Sequence, residues 1–98
     1  MADFGSMLRT ERQRQNLSVR KLADTVSAGG VTTVSGQMIS ILEQGRKPPS
    51  WKLAWALTQV LNIDDKKKTA MLKATHRARM MSWKLREADS LQKYLSEL

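Results

Sequence analysis

The chain predicts an all-α fold, with a helical core over residues 1–63 and an extended C-terminal helical segment over residues 64–98. Three observations carry that expectation. Apolar residues recur three and four positions apart along much of the chain, the period of a helix face. A residue able to cap a helix (Asp3, Ser18, Ser35, Ser50 or the Asp64-Asp65 pair) stands before each such stretch. The composition is 41% hydrophobic but only 5% aromatic, and 98 residues suffice for one modest core and not two.

Asp3 opens a first helix from Phe4 to about Gln15, with Phe4, Leu8 and Arg12 on one stripe. Arg12 on that otherwise apolar stripe calls for a carboxylate. Asn16 suits a left-handed C-terminal position, after which Leu17 drops into the core. Ser18 caps a second helix ending near Ser27, with Leu22, Ala23 and Val26 as its buried side. Residues 27–34 contain Gly29-Gly30 and a β-branched run; with no strand to pair with, they are read as loop.

The third helix starts after Ser35, buries Ile39 and Leu42, and stops at Gly45. Arg46-Lys47-Pro48-Pro49 follows as a stiff basic connector. Ser50 caps a fourth helix from Trp51 to about Leu61. Its inner face is expected to be Trp51, Ala54, Leu57, Thr58 and Leu61, with Leu53 and Trp55 only partly covered. Ile63 closes the core.

Asp64 and Asp65 begin another helix at the end where negative charge is favourable. From Lys66 to Arg86 the chain has eight Lys or Arg and no acid. Met71, Ala74, Ala78, Met81, Leu85 and Ala88 alternate by three and four, the pattern of a helix–helix seam, which Leu91, Leu95 and Leu98 continue with a shift. The helix either runs on past Met81 or restarts at Ser82 or at Asp89-Ser90.

Seventeen Lys and Arg against nine Asp and Glu give a formal charge of +8, which points to a polyanionic partner. The absence of cysteine excludes disulfides and thiolate metal sites. The sequence offers no nucleophile–base pair, paired catalytic carboxylates or phosphate-cradling Gly-rich loop, and the lone His76 has no ligand partner at metal spacing. Neither an enzyme nor a cofactor or metal is therefore expected. With no long apolar run and no signal-peptide pattern, a cytoplasmic, nucleoid-associated protein without a membrane partner is expected.

The stretch from Ser35 to Gly45 carries the functional expectation. It is too short to persist alone in water, so it must be docked on a scaffold. With Ile39 and Leu42 turned inward, amides and a hydroxyl remain outside, as expected of a helix that enters a groove of DNA. Gln37 is placed to read a base, because an amide pairs bidentately with adenine in the major groove. Gly36 allows close backbone approach, and Ile41 suits a thymine methyl. Met38 suits either a thymine methyl or the core, and Ser35 is a further base-side candidate. Gln44, Arg46 and Lys47 suit phosphate contacts, which position without specifying.

The residues Gly5-x-x-Leu8-Arg9-x-x-Arg12, Leu17-Ser18-x-x-x-Leu22-Ala23 and Ile39-Ser40-x-Leu42-Glu43-x-Gly45-Arg46-x-Pro48-Pro49-Ser50 together resemble the Xre/Cro-type phage-repressor family of helix-turn-helix proteins. The resemblance spans about residues 4 to 63. It implies a lambda-repressor-like five-helix domain whose second and third helices form the DNA-reading pair. It also implies a partner for Arg12: Glu43, in a structural ion pair. Two departures stand out. The segment 27–34 is longer than the family's usual turn. Val19 also stands where the family often has a phosphate-touching Gln, so that contact is either absent or passed to Ser18 or Arg20.

Two functions follow as expectations. The first is a sequence-specific double-stranded-DNA-binding transcription regulator, a repressor acting as a homodimer on an inverted repeat. Met71, Ala74, Ala78, Met81, Leu85, Ala88 and Leu95 would form its dimer seam. The second is an antitoxin or adaptor that holds a protein partner through residues 64–98. The basic run from Lys66 to Arg86 is a solvated face of the dimer helix in one reading; in the other it touches DNA backbone or an acidic protein.

Overall fold

The computed structural model describes the backbone of residues 3–96 and the side chains of residues 3–81. The molecule is all-helical, with five helices in the order α1 (Phe4–Arg14), α2 (Val19–Ala28), α3 (Gly36–Glu43), α4 (Trp51–Val60) and α5 (Asp65–Ser96). α3 is packed against both α1 and α2, α4 against α2 and α5, and α5 against α1 as well.

Each helix starts on a side-chain cap. Asp3, Ser18, Ser35, Ser50 and Asp64 accept the backbone N–H three residues on, at 2.8, 3.0, 3.1, 3.1 and 2.9 Å respectively. Each such bond satisfies one of the orphan donors of a first turn and stabilises by about 1 kcal/mol. Three of the helix ends repeat one device. Asn16, Gly45 and Asn62 take positive φ (57°, 72° and 50°). The next residue's N–H then reaches back to a carbonyl of the last turn: Leu17 to Arg12, Arg46 to Ile41 and Ile63 to Thr58, at 3.1, 3.3 and 3.1 Å. Leu17 and Ile63 are thereby turned toward the core, Ile63 fully and Leu17 half-buried.

The core gathers Phe4 and Leu8 of α1, Leu22, Ala23 and Val26 of α2, and Ile39 and Leu42 of α3. It continues through Leu53, Ala54, Ala56, Leu57 and Leu61 to Ile63, Met71 and Ala74, so it runs unbroken across residue 64. Thr58 and Thr75 are also buried; their hydroxyls donate to carbonyls of their own helices, at Trp55 and Met71. Among the described residues every buried side-chain nitrogen or oxygen has a hydrogen-bond partner.

Three expectations are corrected here. Trp51 does not lie on the inner face of α4: it is 46% exposed, whereas Leu53 is 8% exposed and inside. The inner stripe is rotated because α4 is pressed between α2 and α5, and Trp51 lies on the outer side of that seam, its ring 5.8 Å from that of His76. Met71 and Ala74 are buried within the chain, which removes both from the expected seam with a second copy. Their three-and-four spacing is satisfied by α1 and α4 instead. Ala78 and Met81 are exposed; the side chains of Leu85, Ala88 and Leu95 lie outside the described residues.

α5 is a single helix of 32 residues with no break at Ser82 or Asp89. At about 1.5 Å per residue it spans roughly 48 Å, most of the molecule's 55 Å long dimension. Its first turns are tied to α1 through Glu11, a buried carboxylate that accepts from Lys67 Nζ at 3.3 Å and from Arg14 Nη2 at 2.6 Å. Among the described residues no helix is long and apolar enough to cross a membrane.

Candidate nucleic-acid interface

Helix α3 is fixed from three sides. Toward α1, Gly5 lies so close that a Cβ there would fall 2.3 Å from the Leu42 carbonyl oxygen and 2.9 Å from that of Glu43. Only a residue without a side chain admits this approach. Toward α2, a Cβ on Gly36 would meet the Arg20 Cα at 3.4 Å, so the first turns of α2 and α3 lie side by side. Gly36 thus sits beside α2 at an ordinary packing distance.

The third fastening is electrostatic. Arg12 donates from Nε to Glu43 Oε2 at 2.6 Å and from Nη2 to Oε1 at 2.9 Å, a two-pronged pairing. Its Nη1 donates to the Leu17 carbonyl at 2.7 Å, so one guanidinium joins α1, the α1–α2 turn and α3. The Arg12 and Glu43 side chains are 13% and 7% exposed. The hydrogen bonds that Arg12 donates to Glu43, with the charge of Glu43, hold the Arg12 pKa above the usual arginine value against the effect of burial. The acid of α3 is consumed in this clamp and lends no negative field to the outer face.

The loop from Gly29 to Ser35 does not loosen the pairing of α2 with α3. Ser27 Oγ accepts from the Val34 N–H at 3.1 Å and donates to the Val34 carbonyl at 3.2 Å. This clasp holds the end of the loop against the last turn of α2, and Val34 packs on the core just before the Ser35 cap. The chain turns ahead of the clasp, where Gly30 adopts φ of 80°.

Opposite Ile39 and Leu42, α3 presents Gln37 and Gln44, both exposed, with Ser40 and Ile41 half-buried between them. Gln37 and Gln44 are two turns apart and share a stripe. Ser40 supplies the hydroxyl expected on this face. Met38 sits on the flank: half-buried, it packs against the core. Ser35 is exposed, with its hydroxyl oxygen engaged by the Met38 N–H.

Cations surround the outer face. Arg20 and Lys21 stand exposed on the first turn of α2, whose start adjoins that of α3. The Ser18 oxygen is occupied by the Lys21 N–H, which leaves its hydroxyl hydrogen free to donate. Val19, in contrast, is half-buried and packs on the core. Arg46 and Lys47 are exposed just beyond Gly45, and Arg46 Nη1 reaches Gln44 Oε1 at 3.5 Å. The paired helix starts add positive dipole ends to the same side. The whole forms a neutral, amide-bearing ridge between cationic shoulders. Chemically, it can donate and accept hydrogen bonds at its crest and attract anions along both flanks.

Arg79 of α5 was not foreseen. It donates from Nη1 to the Pro49 carbonyl at 3.3 Å, which brings a cation from α5 to the connector beside α3. Nothing in local sequence marks it, since it is one of many bases along α5. No family model, curated protein or solved structure matches the chain.

Proposed function

We propose that the protein is a sequence-specific double-stranded-DNA-binding transcription regulator of the Xre/Cro helix-turn-helix kind, a repressor that acts as a homodimer on an inverted repeat. The observation that carries this reading is the ridge of α3. Gln37, Ser40, Ile41 and Gln44 face outward on a helix fixed by Gly5, Gly36 and the Arg12–Glu43 clamp, with Arg20, Lys21, Arg46 and Lys47 at its sides. A helix of this width fits the major groove, where an amide reads adenine and an apolar side chain meets a thymine methyl. Arg20, Ser18, Arg46 and Lys47 then hold phosphates on the two strands bordering the groove. The charge of +8 supplies the long-range attraction.

The homodimer rests on α5, which continues to Ser96, well past Thr75, the last of the described residues to be buried, with Met81 60% exposed. Selection of bound sequences from a random duplex pool tests the reading. An inverted repeat with half-site centres about 34–36 Å apart, or a multiple of that, is the expected product; a pool that remains without consensus contradicts it. The second reading, an antitoxin or adaptor holding a protein through residues 64–98, draws on the same exposed Met80 and Met81. Light scattering with and without DNA and candidate partners separates the two.

A further inference from the structure

Between the loop before α3 and the connector after it lies a hollow of about 460 Å³. Thr32 and Thr33 line it on one side, Lys47, Pro49 and Ser50 on the other, and Arg79 of α5 at its edge. Toward α3 it is lined by Ser35, Met38 and Leu42, the flank of the helix between its outer ridge and the core. Among the described residues that line it are two cations, four hydroxyls and no carboxylate, above an apolar floor of Val34, Leu42, Pro48 and Leu53. Arg79 uses Nη1 to bind the Pro49 carbonyl, and among the described residues its other N–H groups have no hydrogen-bond partner.

We propose that this hollow seats one backbone phosphate of a DNA duplex, with Lys47 and Arg79 as its cationic walls and the Thr32, Thr33 and Ser50 hydroxyls as further donors. The inference rests on the DNA-binding reading and deepens it. The lengthened loop ahead of α3 and the helix α5 both become part of the DNA surface. α5 then does more than project from the domain: it carries a positioning residue to the phosphate that flanks the reading helix. A phosphate suits the seat because the guanidinium presents a planar fork to its oxygens while Lys47 supplies a point charge. Contacts of this kind fix register without reading sequence.

The test is titration of fluorescent duplexes, both the selected site and random sequence, with wild-type protein, Arg79→Ala and Arg79→Lys over a range of salt. Arg79→Ala should weaken both duplexes roughly tenfold and flatten the salt dependence by about one unit. Arg79→Lys should keep the salt slope. An unchanged thermal melting curve for Arg79→Ala assigns the loss to the contact and not to the fold. In duplexes with single methylphosphonate linkages, one neutralised position should weaken wild-type protein and weaken Arg79→Ala by clearly less, since Lys47 still contacts that phosphate. Inorganic phosphate, at matched ionic strength, should displace no more duplex than chloride does. Greater displacement reassigns the seat to free phosphate and overturns its assignment to DNA. Equal affinities and slopes for wild type and Arg79→Ala overturn the seat while the DNA reading stands. A wild type that binds no duplex overturns both.

Discussion

Residues Gly36–Glu43 and Asp65–Ser96 are both helical, yet they are held in opposite ways. α3 has 8 residues, and each of its sides except one is fastened: to Gly5, to Arg20, to Arg12 and, through Ile39 and Leu42, to the core. α5 has 32 residues and, among the described residues, is fastened at Lys67, Met71, Ala74, Thr75 and Arg79. A helix of two turns cannot sustain itself, whereas one of nine turns can. The short helix is therefore oriented by its neighbours, and the long one has the length to reach past them. Orientation matters where hydrogen bonds must meet base edges; length matters where a chain must reach a second body.

The largest expected effect breaks the fastening of α3. Glu43→Ala should leave the largely buried Arg12 with only the Leu17 carbonyl. Loss of one partner from a buried pair costs about 3–5 kcal/mol, and chemical denaturation should find a value near the lower end because of that remaining bond. Replacing both Arg12 and Glu43 with apolar residues should recover much of the loss. Additive losses in that double mutant would mean that the two side chains do not act as a pair.

The next effect is steric. Gly5→Ala places a Cβ against the Leu42 and Glu43 carbonyls, which are backbone and cannot swing away. Separation of α1 from α3 should cost roughly 1–3 kcal/mol and weaken duplex binding as α3 tilts. Ala74→Gly, a loss of one buried methyl on α5 plus helix propensity, should cost stability without altering duplex affinity per folded molecule. If both variants change DNA binding alike, the distinction between the oriented helix and the extended one fails.

These contrasts show what the sequence made legible. The caps at Asp3, Ser18, Ser35 and Ser50 and the stops at Asn16 and Gly45 depend on neighbours within a few residues, so each could be read directly. The inward faces of α1, α2 and α3 followed from spacing. The face of α4 did not: Trp51 and Leu53 could each head a helical stripe, and the choice was made by α5, a distant segment. Met71 and Ala74 show the same limit, because a three-and-four repeat specifies that a helix packs but not against which chain. Glu11 gave no sign of burial, since its partner Lys67 is 56 residues away. On the candidate interface, Gln37, Gln44 and Ile41 were legible as an outer face, while Arg79 joined it only through the fold.

The smallest effect lies at the start of α1. The Ser6 backbone N–H, with the Ser6 side chain, holds the Asp3 carboxyl below its ordinary range. Since the folded pKa is depressed, its contribution is present above the ordinary value of about 3.9 and is lost as pH falls through the lower folded value. Asp3→Ala should cost about 1 kcal/mol at neutral pH, and the difference from wild type should shrink in acid. A difference that stays constant down to pH 2 would show that the carboxylate is not the cap.

The central claim is that α3 is oriented so that its outer face reads bases while its flanks hold phosphates. Gln37→Ala, titrated against the selected duplex and a random duplex at several salt concentrations, tests it most directly. The account predicts a loss of roughly 1–3 kcal/mol on the selected site, little change on random DNA and an unaltered salt slope. Arg46→Ala and Lys47→Ala should instead weaken both duplexes about equally and lower the slope by about one unit. Equal weakening of both duplexes by Gln37→Ala would contradict the account.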